Sequence, residues 1–402
     1  MFAKLRKRGA LFALVFAFAL VAAACGDDDT ADTTTAAPTT TTTEAATTTT
    51  AGPTTTQAPT TTLPPPEPGR EILACEVSDT GGIDDRSFNE NAYAGLQKAE
   101  QELEGVSIDF LESTTPADYE PNLRSMLDKG CDVVILPGFL WIDTILEFGP
   151  ANPDAKFAII DVAGLGIPNL REISFQTDEA AFLAGYVAAG TTTTGVIGTY
   201  GGIAIPSVTI FMDGLVKGVN YYNQVNGTSV SVIGWDLDAQ QGQFTEDFEA
   251  VDKGLEISNA LLENGADIIM PVGGKIGLGA CSAISAAGGA GSGLLNIGVD
   301  VDWNVSAAAE CGEFTVTSVI KRIDNSVFNT VNNVLVLDTL GNPYLGTLAN
   351  EGVGIAKTGA WSVVPADVQA AVDALQAELI AYNTANAATG VDAFIASKAP
   401  SE

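Results

Sequence analysis

The 402-residue chain contains no histidine. That absence excludes Ser–His catalysis, His-bearing zinc sites and a histidine pH switch together. Cations are scarce as well: 18 Lys and Arg stand against 50 Asp and Glu, a formal charge of −32. Nucleic acid, whose phosphates attract Lys and Arg, is thereby disfavoured as a partner. An acidic surface of this kind keeps an exported protein soluble. The five cysteines have no spacing that suits zinc, so no metal and no cofactor is expected. GGKIG at 273–277 lacks the GxxxxGK[ST] spacing and is not read as an ATP loop. Beyond the first 24 residues no apolar run is long enough to span a membrane.

What is present begins with a targeting segment at 1–24. Lys4, Arg6, Lys7 and Arg8 form a basic flank, 11–21 an apolar core, and Ala22, Ala23 and Ala24 lead into Cys25. VAAAC followed by glycine resembles a bacterial lipobox, in which the cysteine becomes the lipidated first residue of the mature protein. Residues 25–69 are Thr-, Ala- and Pro-rich, with Leu63 the sole large aliphatic side chain. Such a segment buries too little surface to offset the entropy of ordering, and a disordered tether with a reach of about 100 Å is expected. It would carry a folded body away from the membrane while leaving it attached.

From Arg70 the composition changes. The folded body is organised around the stretch SDTGGIDDRSFNENAYAGLQKAE (78–100). The short apolar run EILACEV leads into it; a glycine turn crowded with acids and amides, one aromatic (Phe88) and then a helical pattern make it up. A strand, a polar turn and a helix start are how α/β sheets build ligand sites at strand carboxyl ends. Further apolar runs, GVSIDFL, CDVVILPGF and KFAIIDV, alternate with helical stretches, and the cycle restarts at TGVIGTYGG with SVSVIGW, GADIIMPVGG and NIGVDVD after it. Continuous β-branched runs between helices imply mostly parallel sheets covered on both faces. LDKGCDVVILPGF and LENGADIIMPVGG echo one another as helix end, glycine stop, strand and Pro-containing loop, and support two lobes built on one plan. The fold class expected is α/β, two doubly wound parallel-sheet lobes joined by a hinge and preceded by the tether. Lobe one is expected at 70–177 plus 318–342, and lobe two at 178–317 plus 343–402. Their cleft is the natural ligand site.

Four cysteines fall in this body. A sheet order of 2-1-3 would bring Cys75 near Cys131, while Cys281 and Cys311 both lie in the second lobe. An exported chain favours the pairs Cys75–Cys131 and Cys281–Cys311; four buried free thiols are the alternative.

SDTGGIDDRSFNENAYAGL resembles the signature of the basic membrane protein family, nucleoside-receptor lipoproteins of ABC importers. FAIIDV, FQTDEAAFLAGYVAA, TGVIGTYGGIAIPSVTIFMDGLVKGV, QGQFTEDFEAVDKGLEISNALLENGADIIMPVGG and IGVDVDW with TSVIKRID come next, in that family's order. The resemblance implies a type I periplasmic-binding fold. It also implies site residues. Phe88 matches a stacking aromatic on lobe one; Phe244 aligns with the opposing aromatic, with Trp235 its rival. Asp79 matches an acidic residue near the base, with acceptors suited to a purine edge, and Asp161 matches another carboxylate facing the cleft, a turn-forming Asp after a strand being its alternative. Asn89 is either a ligand contact or a helix cap. Asp300 matches a ribose-binding carboxylate, Lys321 a lysine beside it, and Gly273 and Gly274 permit close backbone approach. Lys275 and Trp303 depart from the family pattern and raise the expectation of a shifted ligand.

The function implied is a lipid-anchored, extracytoplasmic solute receptor at the cell membrane. It would close on a nucleoside, purine favoured, and deliver it to an ABC permease and ATPase. A nucleoside-sensing receptor for a membrane signalling partner is the alternative. An exported nucleoside-processing enzyme is kept open by the cleft carboxylates but lacks a nucleophile–base set.

Overall fold

The computed structural model describes residues 69–386 and 390–398. The targeting segment, Cys25 and all but the last residue of the tether lie outside the described residues.

The first cycle is β1 (Ile72–Val77), α1 (Phe88–Glu102), β2 (Val106–Leu111), α2 (Tyr119–Lys129), β3 (Val133–Pro137), α3 (Ile142–Ala151), β4 (Phe157–Ile160) and β5 (Leu170–Phe175). After α4 (Thr177–Thr191) come β6 (Val196–Gly201), α5 (Pro206–Asn226), β7 (Ser231–Ile233) and a short hairpin of β8 (Trp235–Asp236) and β9 (Gln241–Gly242). Next are α6 (Val251–Glu263), β10 (Ile268–Val272), α7 (Ile276–Ala286), β11 (Leu295–Asp300), α8 (Trp303–Ser306) and β12 (Thr315–Lys321). The chain ends with α9 (Ile323–Leu337), β13 (Tyr344–Gly346), β14 (Val353–Ile355), α10 (Ala366–Ala385) and α11 (Gly390–Ser397).

Two six-stranded sheets result, ordered β13-β5-β4-β3-β1-β2 and β14-β12-β11-β10-β6-β7. Every pairing within them is parallel except β12 with β14. The two orders correspond strand for strand, β1 to β6 and β4 to β11, so the echoed segments occupy equivalent places. VVILP and IIMPV are buried along their whole length because helices cover both faces of each sheet. Gly130 and Gly265, at φ 90° and 93°, take the left-handed turn that ends the preceding helix in each copy. Helix α4 is buried on every side from Glu179 to Ala189, which explains why FLAGYVAA shows no polar stripe.

The disulfides are Cys75–Cys131, with Cα atoms 6.0 Å apart, and Cys281–Cys311, 5.2 Å apart. The first ties β1 to the entrance of its neighbour β3, as the 2-1-3 order requires.

The lobe crossings differ from the expected boundaries. Residues 318–321 belong to β12 in the second sheet, so the crossing expected at 317/318 falls after Lys321. Strand β13 pairs with β5 in the first sheet, so the crossing expected at 342/343 falls between Gly346 and Val353. The reason is length. A seven-residue strand is needed to carry Lys321 to the sheet's carboxyl edge, and the edge of the first sheet is closed by a strand too short to stand out in the sequence. Helix α9 then packs on α1 of the first lobe, and α10 and α11 pack on α4 of the second.

Candidate functional site

The carboxyl edges of both sheets face one shared cavity. Lobe one contributes the turn after β1, where the Asp79 carboxylate accepts from the Gly81 N–H at 3.0 Å and from Asn89 Nδ2 at 2.9 Å. Helix α1 starts directly behind this turn. Its first N–H groups are capped by Asp85, which accepts from the backbone of Ser87, Asn89 and Glu90 at 2.9–3.1 Å. Asn89 is therefore free of capping duty. Its amide N–H₂ bridges Asp79 and Asp85, and its buried Oδ1 has no protein partner. Phe88 opens the helix and lines the cavity.

At the ends of the equivalent strands β4 and β11 stand Asp161 and Asp300, with φ 64° and 66°. Left-handed backbone at a non-glycine residue is uncommon, and aspartate is among the residues that tolerate it. Its occurrence at matched strand ends brings two carboxylates from different lobes onto one cation. Lys321 Nζ, at the end of β12, lies 2.5 Å from Asp161 and 3.3 Å from Asp300. Phe88, Phe211 and Phe175 ring the same ammonium at 4.8, 5.1 and 5.9 Å from their centroids. Burial opposes the charge on Lys321, but the paired carboxylates outweigh it and hold the ammonium above the usual lysine range. Ser87 Oγ donates to Asp300 Oδ2 at 2.7 Å, a second bond between the lobes.

Asp79, Asp85 and Glu76 of lobe one behave differently, because no cation is among the groups that act on them. Burial pushes Asp85 up to about 7 in spite of its three backbone donors. Asp79 is raised for the same reason. Beneath them on β1, Glu76 is fully buried with neither carboxyl oxygen partnered, and burial, with Asp85 and Asp79 nearby, drives its carboxyl well above the ordinary range.

Of the residues expected from the sequence, Asp79, Phe88, Asn89, Asp161, Gly273, Gly274, Asp300 and Lys321 all line this cavity. Phe244 and Trp235 do not. Their rings pack edge to face at 6.0 Å, and the Trp235 indole N–H donates to Asp213 at 2.9 Å. Phe248 and Phe211 line the second-lobe wall instead. In QFTEDFEAV the two phenylalanines are four apart; the backbone of Phe244 bridges to Gly201, and Phe248 lies at the cavity. The Phe248 ring lies against Gly202 and Gly273, where an added Cβ would meet it at 2.3 and 3.0 Å. Gly274 makes similar room for Asp85 of the other lobe. These glycines seat the walls.

Trp303 is core: it is wholly buried, its indole N–H donates to the Val299 carbonyl at 2.9 Å, and it does not line the cavity. Lys275 does line it, and pairs with Asp84 and Glu249. The cavity residues that sequence reasoning missed include Asp85, Phe139, Phe211, Phe248 and Glu249. The Asp-x-Ser spacing before a helix start was a legible signal for Asp85. Phe211 sits in a helix pattern that reads as ordinary core.

A family model described as "Bmp: ABC transporter substrate-binding protein PnrA-like" matches residues 72–360. Basic membrane protein A of Borreliella afzelii is 30% identical over 305 residues, covering 75% of this chain and 87% of that protein. An uncharacterized lipoprotein of Pyrococcus furiosus is 29% identical over 301 residues, covering 73% and 71%. Among solved structures, an ABC transporter system solute-binding protein from Aeropyrum pernix superimposes with a TM-score of 0.68 at 25% identity, over 78% of this chain and 92% of that one. One from Conexibacter woesei gives 0.59 at 22% identity, over 78% and 97%, and speaks to the fold alone.

Proposed function

Because the chain belongs to the Bmp family of PnrA-like ABC transporter substrate-binding proteins, we propose that it is a lipid-anchored receptor that closes on a purine nucleoside and delivers it to an ABC permease. The observation that carries this reading is the composition of one cavity. Flat apolar walls come from both lobes, Phe88 on one side and Phe211 and Phe248 on the other. Beside them lie the buried Asp161–Lys321–Asp300 set and the unpartnered Asn89 Oδ1. A purine ring uses such walls by stacking, at about 1 kcal/mol beyond its area burial. Its N–H edge suits Asn89 Oδ1 and the Asp79 carboxylate, and a vicinal diol suits Asp300 with Lys321 beside it.

Closure is the mechanism. A ligand that touches Phe88 and Asn89 on lobe one, and Asp300 and Phe248 on lobe two, favours the closed arrangement by its differential affinity. The cavity carboxylates on this reading bind and perform no acid–base step. The extracytoplasmic anchor rests on the lipobox at Cys25 and on the lipoprotein names of relatives.

A thermal-shift panel of nucleosides, free bases, pentoses and amino acids tests the ligand class. A nucleoside at about 1,000-fold its Kd adds about 4 kcal/mol to the folded state and raises Tm by several degrees. Shifts from amino acids or sugars alone would overturn the proposal. For the anchor, Cys25→Ala is expected to move the protein from the membrane to the soluble fraction.

A further inference from the structure

Lys275 sits where the loop after β10 of the second lobe presses on the turn before α1 of the first. Its Nζ lies 2.9 Å from Asp84 of lobe one and 3.1 Å from Glu249 of lobe two. The neighbouring Gly274 is within 3.1 Å, measured from an added Cβ, of Asp85 Cβ and its carbonyl oxygen. Of the ion pairs among the described residues that join the lobes near the cavity, Lys321–Asp161 is fully buried, whereas Lys275–Asp84 is at the rim, with the Asp84 side chain 78% exposed. We propose that Lys275 is an ionic latch: it holds the two lobes together at the cavity rim and sets how long a bound solute stays, without itself recognising the solute. The inference rests on the closing-cleft reading above and adds to it a residue that acts through the lobes.

Charge is what makes the latch. In a chain with 50 acids and 18 bases, closing the cleft brings Asp84 towards Glu249. Without an ammonium between them the two carboxylates repel across the rim. With it, each is paired, and Lys275 draws the Asp84 carboxyl below the usual carboxylate range. Opening the cleft separates Lys275 from Asp84 and leaves it on Glu249, which shares its lobe. The ammonium is thus occupied by two acids, and little of its charge is left for a ligand.

This arrangement predicts signs that a ligand-contacting lysine would not produce. Removing Lys275 exposes the repulsion, and removing Asp84 as well relieves it. Salt screens attraction in the unmodified protein and repulsion in the variant, so the two respond in opposite directions.

The first test needs no ligand. Spin labels are placed at Ser125→Cys on α2 and Asn259→Cys on α6, both exposed, in the full chain carrying Cys25→Ala; the four body cysteines are already paired. Lys275→Met is expected to raise the open population about two- to fivefold, the range of an exposed ion pair. Asp84→Asn added to Lys275→Met should recover at least half of that change. Raising salt from about 50 to 500 mM should open the unmodified protein and close Lys275→Met. An unchanged distance distribution in Lys275→Met, or the same salt response in both proteins, overturns the latch. The second test uses adenosine and guanosine as probes: the off-rate of whichever binds should rise in Lys275→Met and be rescued by Asp84→Asn. A rise without rescue assigns Lys275 to the ligand and also overturns the proposal. If neither probe binds, the nucleoside reading fails, and the label distances still decide the latch.

Discussion

Replacing Glu76 by glutamine is expected to stabilise the protein, and to do so only above the acid range. Glu76 is fully buried on β1, neither carboxyl oxygen has a partner, and Asp85 and Asp79 lie close enough to oppose its ionisation. In the folded state it holds its proton to higher pH than in the unfolded chain, where it releases it near pH ~4.3. A raised folded-state pKa means stability is fully present below the unfolded value and is lost as pH rises. Each pH unit between the unfolded and the raised folded-state value costs about 1.4 kcal/mol relative to a permanently neutral side chain. Glutamine is isosteric and neutral and leaves the same two buried polar atoms unpaired, so that part of the cost nearly cancels. The expected gain is more than about 1 kcal/mol, the cost of a single pH unit, at neutral pH and near zero at about pH 4, measured by urea unfolding of both proteins across that range. Glu76→Met serves as a second variant of similar volume without the polar atoms. A stability difference independent of pH, or a loss at about pH 7.5 in both variants, would refute the assignment of a protonated, unpartnered carboxyl.

Three further outcomes are expected. Phe88→Ala and Phe248→Ala should each weaken ligand binding at least about tenfold by calorimetry, from lost ring area and stacking, whereas Phe244→Ala should lower Tm with little change in affinity. Lys321→Met should cost about 3–5 kcal/mol at neutral pH because it strands two buried carboxylates; the loss should shrink on acidification, where the carboxylates protonate, and a pH-independent loss below about 1 kcal/mol would speak against the buried set. Replacing Cys281 and Cys311 by serine should destabilise by roughly 3–4 kcal/mol on a chain-entropy basis for a 30-residue separation, read as a lower denaturation midpoint.

Much of the site was legible because its chemistry lies at strand ends, and strand ends announce themselves. A buried β-branched run ending in Asp or Gly marks the carboxyl edge of a parallel sheet, and Asp79, Asp161, Gly273 and Asp300 all carry that mark. Phe88 and Asn89 sit just beyond the first such run at a helix start. The second-lobe aromatics carry no comparable signal. Phe211 belongs to a helix whose inward face is apolar anyway, and Phe244 and Phe248 lie only four apart in one polar stretch, the first bridged to Gly201 and the second at the cavity. The Trp235 ring was drawn away by Asp213, a residue 22 positions earlier in the chain.

By itself the amino-acid order determined the alternation of strands and helices, the two-fold repetition of that plan and the residues at each carboxyl edge. These come from local periodicity, glycine stops and the burial demanded of a parallel sheet. Only the tertiary structure decided that Asp161 and Asp300, far apart in the chain, share one ammonium, that Glu76 is sealed without a partner, and that Lys275 spans the rim. Those are relations between lobes or between layers. Their energies depend on distance and on the exclusion of water, and neither is defined until the chain has closed around itself.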